Sequence, residues 1–211
     1  MKNKTMLLST LLCLAPILLG IALYDQLPDM VPTHFNIHNE PDGWSSKPMA
    51  VFGIPLFMAA LNLVCHWATG LDERMRQASP KILLNIMYWI PSIISLFLMP
   101  AMLFMALGKE IPLNWICSVL LGLLFVVVGN YMPKCKPNLY MGIKLPWTYA
   151  SEENWYKTHR FGGKVWVICG FLALIGGVFR MAWLLLGTMF AAILLPCVYS
   201  YVEYKREEGT K

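Results

Sequence analysis

The sequence predicts an all-α integral membrane protein with about six transmembrane helices and with both termini in the cytoplasm. Three observations support this prediction. The chain is 57% hydrophobic and only 14% charged, whereas soluble domains carry about 25% charged residues. Its apolar residues form runs close to the ~20 residues that a helix needs to cross a bilayer. Its basic residues fall mostly on one side of those runs.

Six apolar runs are the predicted spans. They cover 6–24, 49–69, 82–107, 113–131, 165–179 and 181–202. The first run is longer than the apolar core of a secretory signal peptide, so we expect a retained helix. The fifth run has only 15 residues and needs tilt or flanking residues to complete a span. A re-entrant hairpin formed by the last two runs is the alternative.

Positive charge sets the predicted orientation. With the N-terminus inside, the inner segments hold 14 of the 17 Lys and Arg residues, and the outer segments hold Lys47, Lys109 and Arg180. Cytoplasmic loops favour Lys and Arg. The net charge of +5 therefore indicates topology, and we expect no direct contact with nucleic acid.

Two long loops divide the chain into two expected modules. The first module, 1–69, has two helices joined by an outer loop at 25–48. The second, 82–211, has four helices and a cytoplasmic loop at 132–163. The six cysteines lie in apolar runs, except for Cys135 in a polar loop. We expect them to be small buried side chains and not disulfides.

The outer loop contains the first group of candidate binding residues. These are Asp29, His34, Asn36, His38 and Asp42. The Pro-Asp-Gly run at 41–43 predicts a turn. On a helix the two histidines, four residues apart, would share a face and suit zinc. Flanking prolines disfavour a helix, so a compact, turn-rich cap is the favoured interpretation, and we expect no metal.

The cytoplasmic loop contains the second group, with candidate roles in docking a partner. Its members are Gly142, Lys144, Pro146, Trp147, Thr148, Ser151, Trp155, Thr158, His159 and Gly162. Ser151 is a predicted N-cap, and Trp155 and His159 would share a helix face. The glycine pair at 162–163 would end this helix. We expect an interfacial helix anchored by tryptophans 147 and 155 together with Tyr156, with a docking site for a cytoplasmic partner as the alternative.

The predicted spans carry no acidic or basic residue near their centres. Their polar residues are amides, hydroxyls and a histidine; Asn62 and His66, for example, are four residues apart. Such groups most often bridge helices through hydrogen bonds. A proton-coupled transporter would be expected to have buried carboxylates, so the sequence disfavours this class. A metal-dependent membrane hydrolase would have only the two outer-loop histidines and nearby acids to use.

The two loops also carry a family resemblance. The stretch 141–148, followed by Ser151, Trp155, the Thr-His pair at 158–159 and Gly162, resembles the signature of the SdpI family. The outer stretch from 27 to 43 resembles the small membrane module often found at the N-terminus of such proteins. Together with the spans, the resemblance covers nearly the whole chain.

The resemblance implies a multi-pass bacterial membrane protein that protects its own cell from a membrane-active peptide toxin. It implies that the outer-loop residues face the toxin. In some members it also implies signalling, in which a transcriptional repressor is recruited to the membrane at the cytoplasmic face. No catalytic residue and no cofactor come with the motif, so we expect a protein that is not an enzyme and works within the lipid bilayer. A small transporter and a metal-dependent hydrolase are the alternatives.

Overall fold

The computed structural model describes residues 2–71, 77–138 and 141–209. Three basic residues of the charge count, Arg74, Arg76 and Lys211, lie outside the described residues. Within the described part, six helices are long and apolar enough to cross a membrane. They are Lys4–Ala22, Met49–Thr69, Lys81–Ala106, Leu113–Lys134, Glu152–Val178 and Ala182–Gly209. The prediction of an all-α multi-pass membrane protein is confirmed, and its orientation stays a prediction.

The elements follow one another in a simple order. The first span consists of α1 (Lys2–Leu14) and α2 (Pro16–Ala22), divided where proline removes a backbone donor. Strands β1 (Met30–Phe35) and β2 (Pro41–Ser46) form an antiparallel hairpin. The later elements are α3 (Ile54–Leu71), α4 (Lys81–Ala106), α5 (Leu113–Tyr131), α6 (Pro146–Ala150), α7 (Glu152–Val178) and α8 (Ala182–Gly209).

The chain forms two compact units. The first contains Met1–Leu71 and Asn85–Ile116, and the second contains Asp72–Leu84 and Cys117–Lys211. Most of α4 therefore belongs to the first unit. The expected modules 1–69 and 82–211 stay a prediction, because the compact units are groups of residues in contact and not continuous sequence modules.

The first unit combines an apolar core with a buried polar cluster. Leu27, Val31 and Leu103 are among the buried side chains of the core. Deeper in the spans, the Asn62 amide lies 2.8 Å from the Ser9 hydroxyl oxygen.

Neighbouring polar groups extend this cluster. The His66 ring nitrogen lies 3.0 Å from the hydroxyl oxygen of Ser9, whose carbonyl accepts a 2.8 Å hydrogen bond from Ser92. The Ser95 hydroxyl donates to the Cys13 carbonyl at 2.7 Å. These bonds join α1, α3 and α4, so the prediction that mild polar groups bridge helices is confirmed for this cluster.

In the second unit, glycines bring α5 and α7 into close contact. A Cβ on Gly163 would lie 2.6 Å from the Gly129 carbonyl oxygen, and a Cβ on Gly170 would lie 2.7 Å from that of Gly122. The two contacts are seven residues apart on each helix, and the two helices run antiparallel. Small residues let membrane helices approach this closely.

This contact explains why one prediction is wrong. The glycines at 162–163 do not end a short helix, because α7 continues through them from Glu152 to Val178. Glycine often ends a helix because of its backbone freedom. In α7, however, the lack of a side chain at Gly163 lets the helix pack against α5. The fifth span therefore has 27 residues and the required length.

The outer loop also differs from its prediction. The Pro-Asp-Gly run at 41–43 lies in β2 and not in a turn. The chain reverses direction just before this run, at 36–40, where the Asn36 N–H donates to the Glu40 carbonyl at 2.9 Å. Asn39 takes a positive φ of 66° there, a backbone conformation that asparagine tolerates well.

The glycine contact gives a direct stability test. Replacing Gly163 by alanine places a methyl group against the Gly129 carbonyl, and overpacking of this kind costs about 1–3 kcal/mol. We expect Gly163→Ala to lower the thermal unfolding temperature of the detergent-solubilised protein. Gly187→Ala is the control, because a Cβ at Gly187 in α8 meets nothing within 4 Å. Equal unfolding temperatures for the two variants would contradict this account of the α5–α7 contact.

Candidate functional site

The candidate site is built where residues 132–138 and 141–150 fold against α7 and α8. We call the following residues the motif cluster: Cys135, Gly142, Trp147, Thr148, Asn154, Trp155, Thr158, His159 and Ser200. Six of the ten residues predicted in this loop belong to it. The cluster is held by hydrogen bonds and ring contacts described below.

Trp155 and His159 form the centre of the cluster. Both side chains are fully buried. Their rings stack with centroids 4.1 Å apart, as expected for residues four apart on one helix face. The Trp155 Nε1–H donates to the Cys135 carbonyl at 3.0 Å. The tryptophan therefore ties the start of the loop to α7.

Both ring nitrogens of His159 have backbone partners. The Ile143 N–H donates to Nε2 at 2.9 Å, so Nε2 carries no proton. Nδ1 lies 2.8 Å from the Trp155 carbonyl oxygen and must carry the ring proton to bond it. These partners define a neutral imidazole with one fixed tautomer. The ring holds the loop in place, and neither nitrogen is open to a substrate.

Gly142 passes directly over the stacked rings. Its φ is +115°, a conformation that side chains rarely adopt. A Cβ there would overlap His159 Nε2 and lie 3.0 Å from the Trp155 ring. Gly162 has a related role, since a Cβ on it would lie 2.7 Å from Ile143 Cδ1. The two glycines allow the loop to approach α7.

Local caps shape the rest of the loop. The Thr148 hydroxyl accepts from the Leu145 N–H at 2.9 Å and donates to the Ile143 carbonyl at 3.0 Å. Pro146 occupies the first turn of α6, where a missing N–H costs nothing. Ser151 caps α7 by accepting from the Asn154 N–H at 3.1 Å, as predicted.

A buried amide joins α7 to α8. Asn154 donates to the Ser200 carbonyl at 3.0 Å and accepts from the Thr158 hydroxyl at 3.0 Å. The Trp147 Nε1–H donates to the Ser200 hydroxyl, and its ring packs against Tyr201. Sequence reasoning missed Asn154 and Ser200, because 46 residues separate the two partners.

An ion cluster lies beside these contacts, and it was also missed. The Glu203 carboxylate is buried and accepts from Lys157 at 3.0 Å and from Arg206 at 3.0 Å. Lys157 also pairs with Glu153 at 2.8 Å. A buried carboxylate needs such partners. The sequence feature that could have indicated this ion cluster is the position of Glu203 at the end of an apolar run.

The predicted anchoring by tryptophans is therefore wrong for Trp155. Its indole is inside the protein because two loop segments cover it, so it has no surface to offer to headgroups. Trp147 packs on α8 through Tyr201 and Tyr204. Lys144 and Tyr156 do lie at the surface. The role of Lys144 in docking a partner stays a prediction, and so does the anchoring of Tyr156 at the headgroups.

The outer loop forms the second group of candidate residues. The Asn36 side chain accepts from the N–H groups of His38 and Glu40 at 2.8 and 3.1 Å, and so closes the hairpin tip. His34 pairs with Asp42 across the strands. The Asp29 carboxylate is fully exposed, 3.6 Å from the Lys47 ammonium. The five predicted residues thus lie on or beside one hairpin.

The hairpin tip is fixed to the segment that begins α5. The Asn39 amide donates to the Ile111 carbonyl at 2.9 Å and accepts from the Leu113 N–H at 3.1 Å. The Asn114 side chain donates to the Ile37 carbonyl at 2.8 Å. These bonds give the hairpin a defined position within its unit.

The hairpin does not assemble the zinc site considered above. The helix that would align the two histidines is a strand and a turn, and His34 is paired with Asp42. In the part of the chain that the structure describes, no group of three or more His, Cys, Asp or Glu side chains is placed to hold a metal ion.

Comparison with known proteins finds matches in both parts of the chain. The family model of the SdpI/YfhL protein family matches residues 134–200, and a domain of unknown function (DUF1648) matches residues 11–59. The chain is 29% identical over 213 aligned positions to the immunity protein SdpI of Bacillus subtilis (strain 168). The alignment covers 99% of this chain and 100% of that protein. No solved structure matches the chain.

The spans and the motif cluster define a multi-pass protein of the cell membrane. The similarity to that protein covers 99% of the chain, and the family model matches the segment that folds onto α7. The resemblance to the SdpI family is confirmed, because its family model matches the segment that contains the motif cluster and the immunity protein SdpI is similar over the full length.

The covered position of Cys135 gives a test of the motif cluster. Cys135 is 1% exposed, and burial raises the pKa of its thiol to about 11. At pH 7 only about one thiol in ten thousand is then the reactive thiolate. We expect maleimide to leave Cys135 unmodified in the folded protein, as measured by peptide mass spectrometry. Trp155→Ala should release the segment and accelerate modification at least tenfold, given the cost of opening a buried site.

Tyr156→Ala is the matched control for this measurement. Tyr156 is the next aromatic residue on α7 and is 42% exposed. Its removal should leave the modification rate of Cys135 unchanged. Equal acceleration by both variants would show that Trp155 does not hold this segment.

Proposed function

We propose that this protein is a membrane immunity protein that binds and sequesters a membrane-active peptide toxin. The observation that carries the proposal is the similarity to the immunity protein SdpI, which extends over 99% of the chain and includes both long loops. A similarity confined to the apolar spans would carry less weight, since lipid-facing segments share composition for physical reasons.

The surface of the hairpin suits a cationic, amphipathic peptide. The segment 25–48 carries four acidic residues, Asp25, Asp29, Glu40 and Asp42, against the single basic residue Lys47. An acidic surface accelerates encounter with a cationic partner at low salt. The fully exposed carboxylate of Asp29 is the strongest candidate for first contact.

The same hairpin also exposes apolar side chains. Met30 is 55% exposed and Trp44 is 54% exposed. Exposed large apolar groups beside acidic ones favour a ligand that has both a charged and an apolar face. We infer that these side chains contact the apolar part of the peptide.

The motif cluster supports a second, cytoplasmic role. Its buried interior fixes the shape of the loop, while Lys144, Tyr149 and Arg160 remain at the surface. We propose this surface as the docking site for a transcriptional repressor, so that toxin binding is signalled by recruitment of the repressor to the membrane. The interior of the cluster acts by positioning these groups.

The proposed mechanism is binding without chemistry. His159 has both nitrogens bonded to the backbone, and His34 is paired with Asp42. Sequestration requires only that the number of inserted protein molecules is comparable to the number of toxin molecules. Protection should therefore rise with the amount of inserted protein, whereas an enzyme would protect at low abundance.

The experiment is expression in a sensitive bacterium that is challenged with sporulation-delaying-type peptides. We expect protection that increases in proportion to membrane-inserted protein, measured by immunoblot and survival. Correctly inserted protein that neither protects against nor binds any peptide of a broad panel would refute the proposal.

The acidic surface can be tested in the same system. Asp29→Asn combined with Asp42→Asn should reduce protection about two- to tenfold in medium of low ionic strength, and less at high salt, because screening weakens exposed charges. Glu152→Gln with Glu208→Gln removes the same charge from exposed positions outside the hairpin and serves as the control. A loss of protection that does not depend on salt would exclude electrostatic steering as the cause.

A further inference from the structure

The start of α4 borders a cavity that the proposed immunity role does not use. The cavity has a volume of about 370 Å³, within the range of small-ligand sites. Six of the residues that line it are Gln77, Ser79, Lys81, Tyr131, Lys134 and Lys136. They come from the segment before α4, from the first turn of α4, and from the end of α5 with the residues that follow it.

Backbone contacts hold the two sides of this cavity together. The Lys136 N–H donates to the Ala78 carbonyl at 2.9 Å. On the other side, the Pro80 carbonyl accepts from the N–H groups of Leu83 and Leu84 at 3.0 and 3.3 Å, which begins α4. The cavity therefore has defined walls made within one compact unit.

The electrostatic character of the cavity is positive. Lys81, Lys134 and Lys136 contribute three ammonium groups, and no acidic residue is among its described lining residues. The Lys134 Nζ is held 4.7 Å from the centroid of the Tyr131 ring. Three cations without a lining carboxylate favour an anion that carries more than one acceptor oxygen.

A buried hydroxyl in the wall is available to a ligand. Ser79 is 6% exposed, and its hydroxyl oxygen has no hydrogen-bond partner among the described residues. Leaving a buried hydroxyl unsatisfied costs about 1–3 kcal/mol. A ligand oxygen placed in the cavity would accept from this hydroxyl and remove the cost.

The backbone adds further donors. The first N–H groups of a long helix have no partner within the helix, and the helix dipole makes that end partly positive. The 26-residue helix α4 begins at Lys81, in the cavity wall. Phosphate groups commonly bind where such amides and basic side chains meet.

We propose that this cavity binds a phosphate group, through the three lysines, the Ser79 hydroxyl and the first turn of α4. The phosphate belongs either to the headgroup of an anionic lipid or to a small soluble molecule. Basic pockets beside transmembrane helices bind lipid headgroups in this way. The site is separate from the hairpin and does not depend on the immunity role.

The test uses the full-length protein, purified in a neutral detergent and stripped of lipid. Native mass spectrometry and thermal shift measure binding of dioctanoyl phosphatidylglycerol, of dioctanoyl phosphatidylcholine and of inorganic phosphate. We expect Lys81→Gln, Lys134→Gln and Lys136→Gln together to weaken binding at least tenfold, since the loss of even one charged hydrogen bond is worth about a factor of ten. Ser79→Ala should weaken binding severalfold without changing the charge.

The control removes the same charge elsewhere. Lys4→Gln, Lys109→Gln and Lys164→Gln replace three exposed lysines that do not line the cavity. If the triple cavity variant does not fold, Ser79→Ala and the single lysine variants carry the comparison.

The outcomes separate the sources of the phosphate. Preference for phosphatidylglycerol over both other ligands, lost in the cavity variant alone, supports a lipid headgroup. Equal binding of inorganic phosphate, lost in the same variant, supports a soluble phosphate. Absence of binding, or identical binding by the cavity and control variants, would overturn the proposal.

Discussion

The stacked pair of Trp155 and His159 is the contact on which the rest of the motif cluster depends. One ring bonds the Cys135 carbonyl and the other bonds the Ile143 N–H, so the pair holds the loop at two points. Because both rings are fully buried, separating them from the loop would leave buried polar groups unpaired. The loop is thus a fixed part of the second unit, and its surface residues are presented in one arrangement.

The polar groups of the spans follow the same principle. Backbone and side-chain donors that enter an apolar medium must find partners within the protein. Asn154 meets this requirement through Ser200 and Thr158, and Asn62 meets it beside Ser9. These bonds use the polar groups for helix contacts.

The sequence predicted what depends on local pattern and missed what depends on partners. Six apolar runs, the Ser151 cap and the shared face of Trp155 and His159 follow from length and periodicity. The continuation of α7 through Gly163 could not be read locally, because its reason is the Gly129 carbonyl on another helix. The hairpin was missed since its turn is closed by Asn36, while the nearby Pro-Asp-Gly run carries the stronger turn signal.

We propose that the protein protects by holding a toxin and not by altering it. The most direct measurement is native mass spectrometry of the purified protein in nanodiscs, mixed with a sporulation-delaying-type peptide against which it protects. Sequestration predicts a complex of fixed stoichiometry, from which the peptide is recovered with its mass unchanged. Recovery of cleaved or modified peptide, with free protein that turns over further peptide, would contradict it.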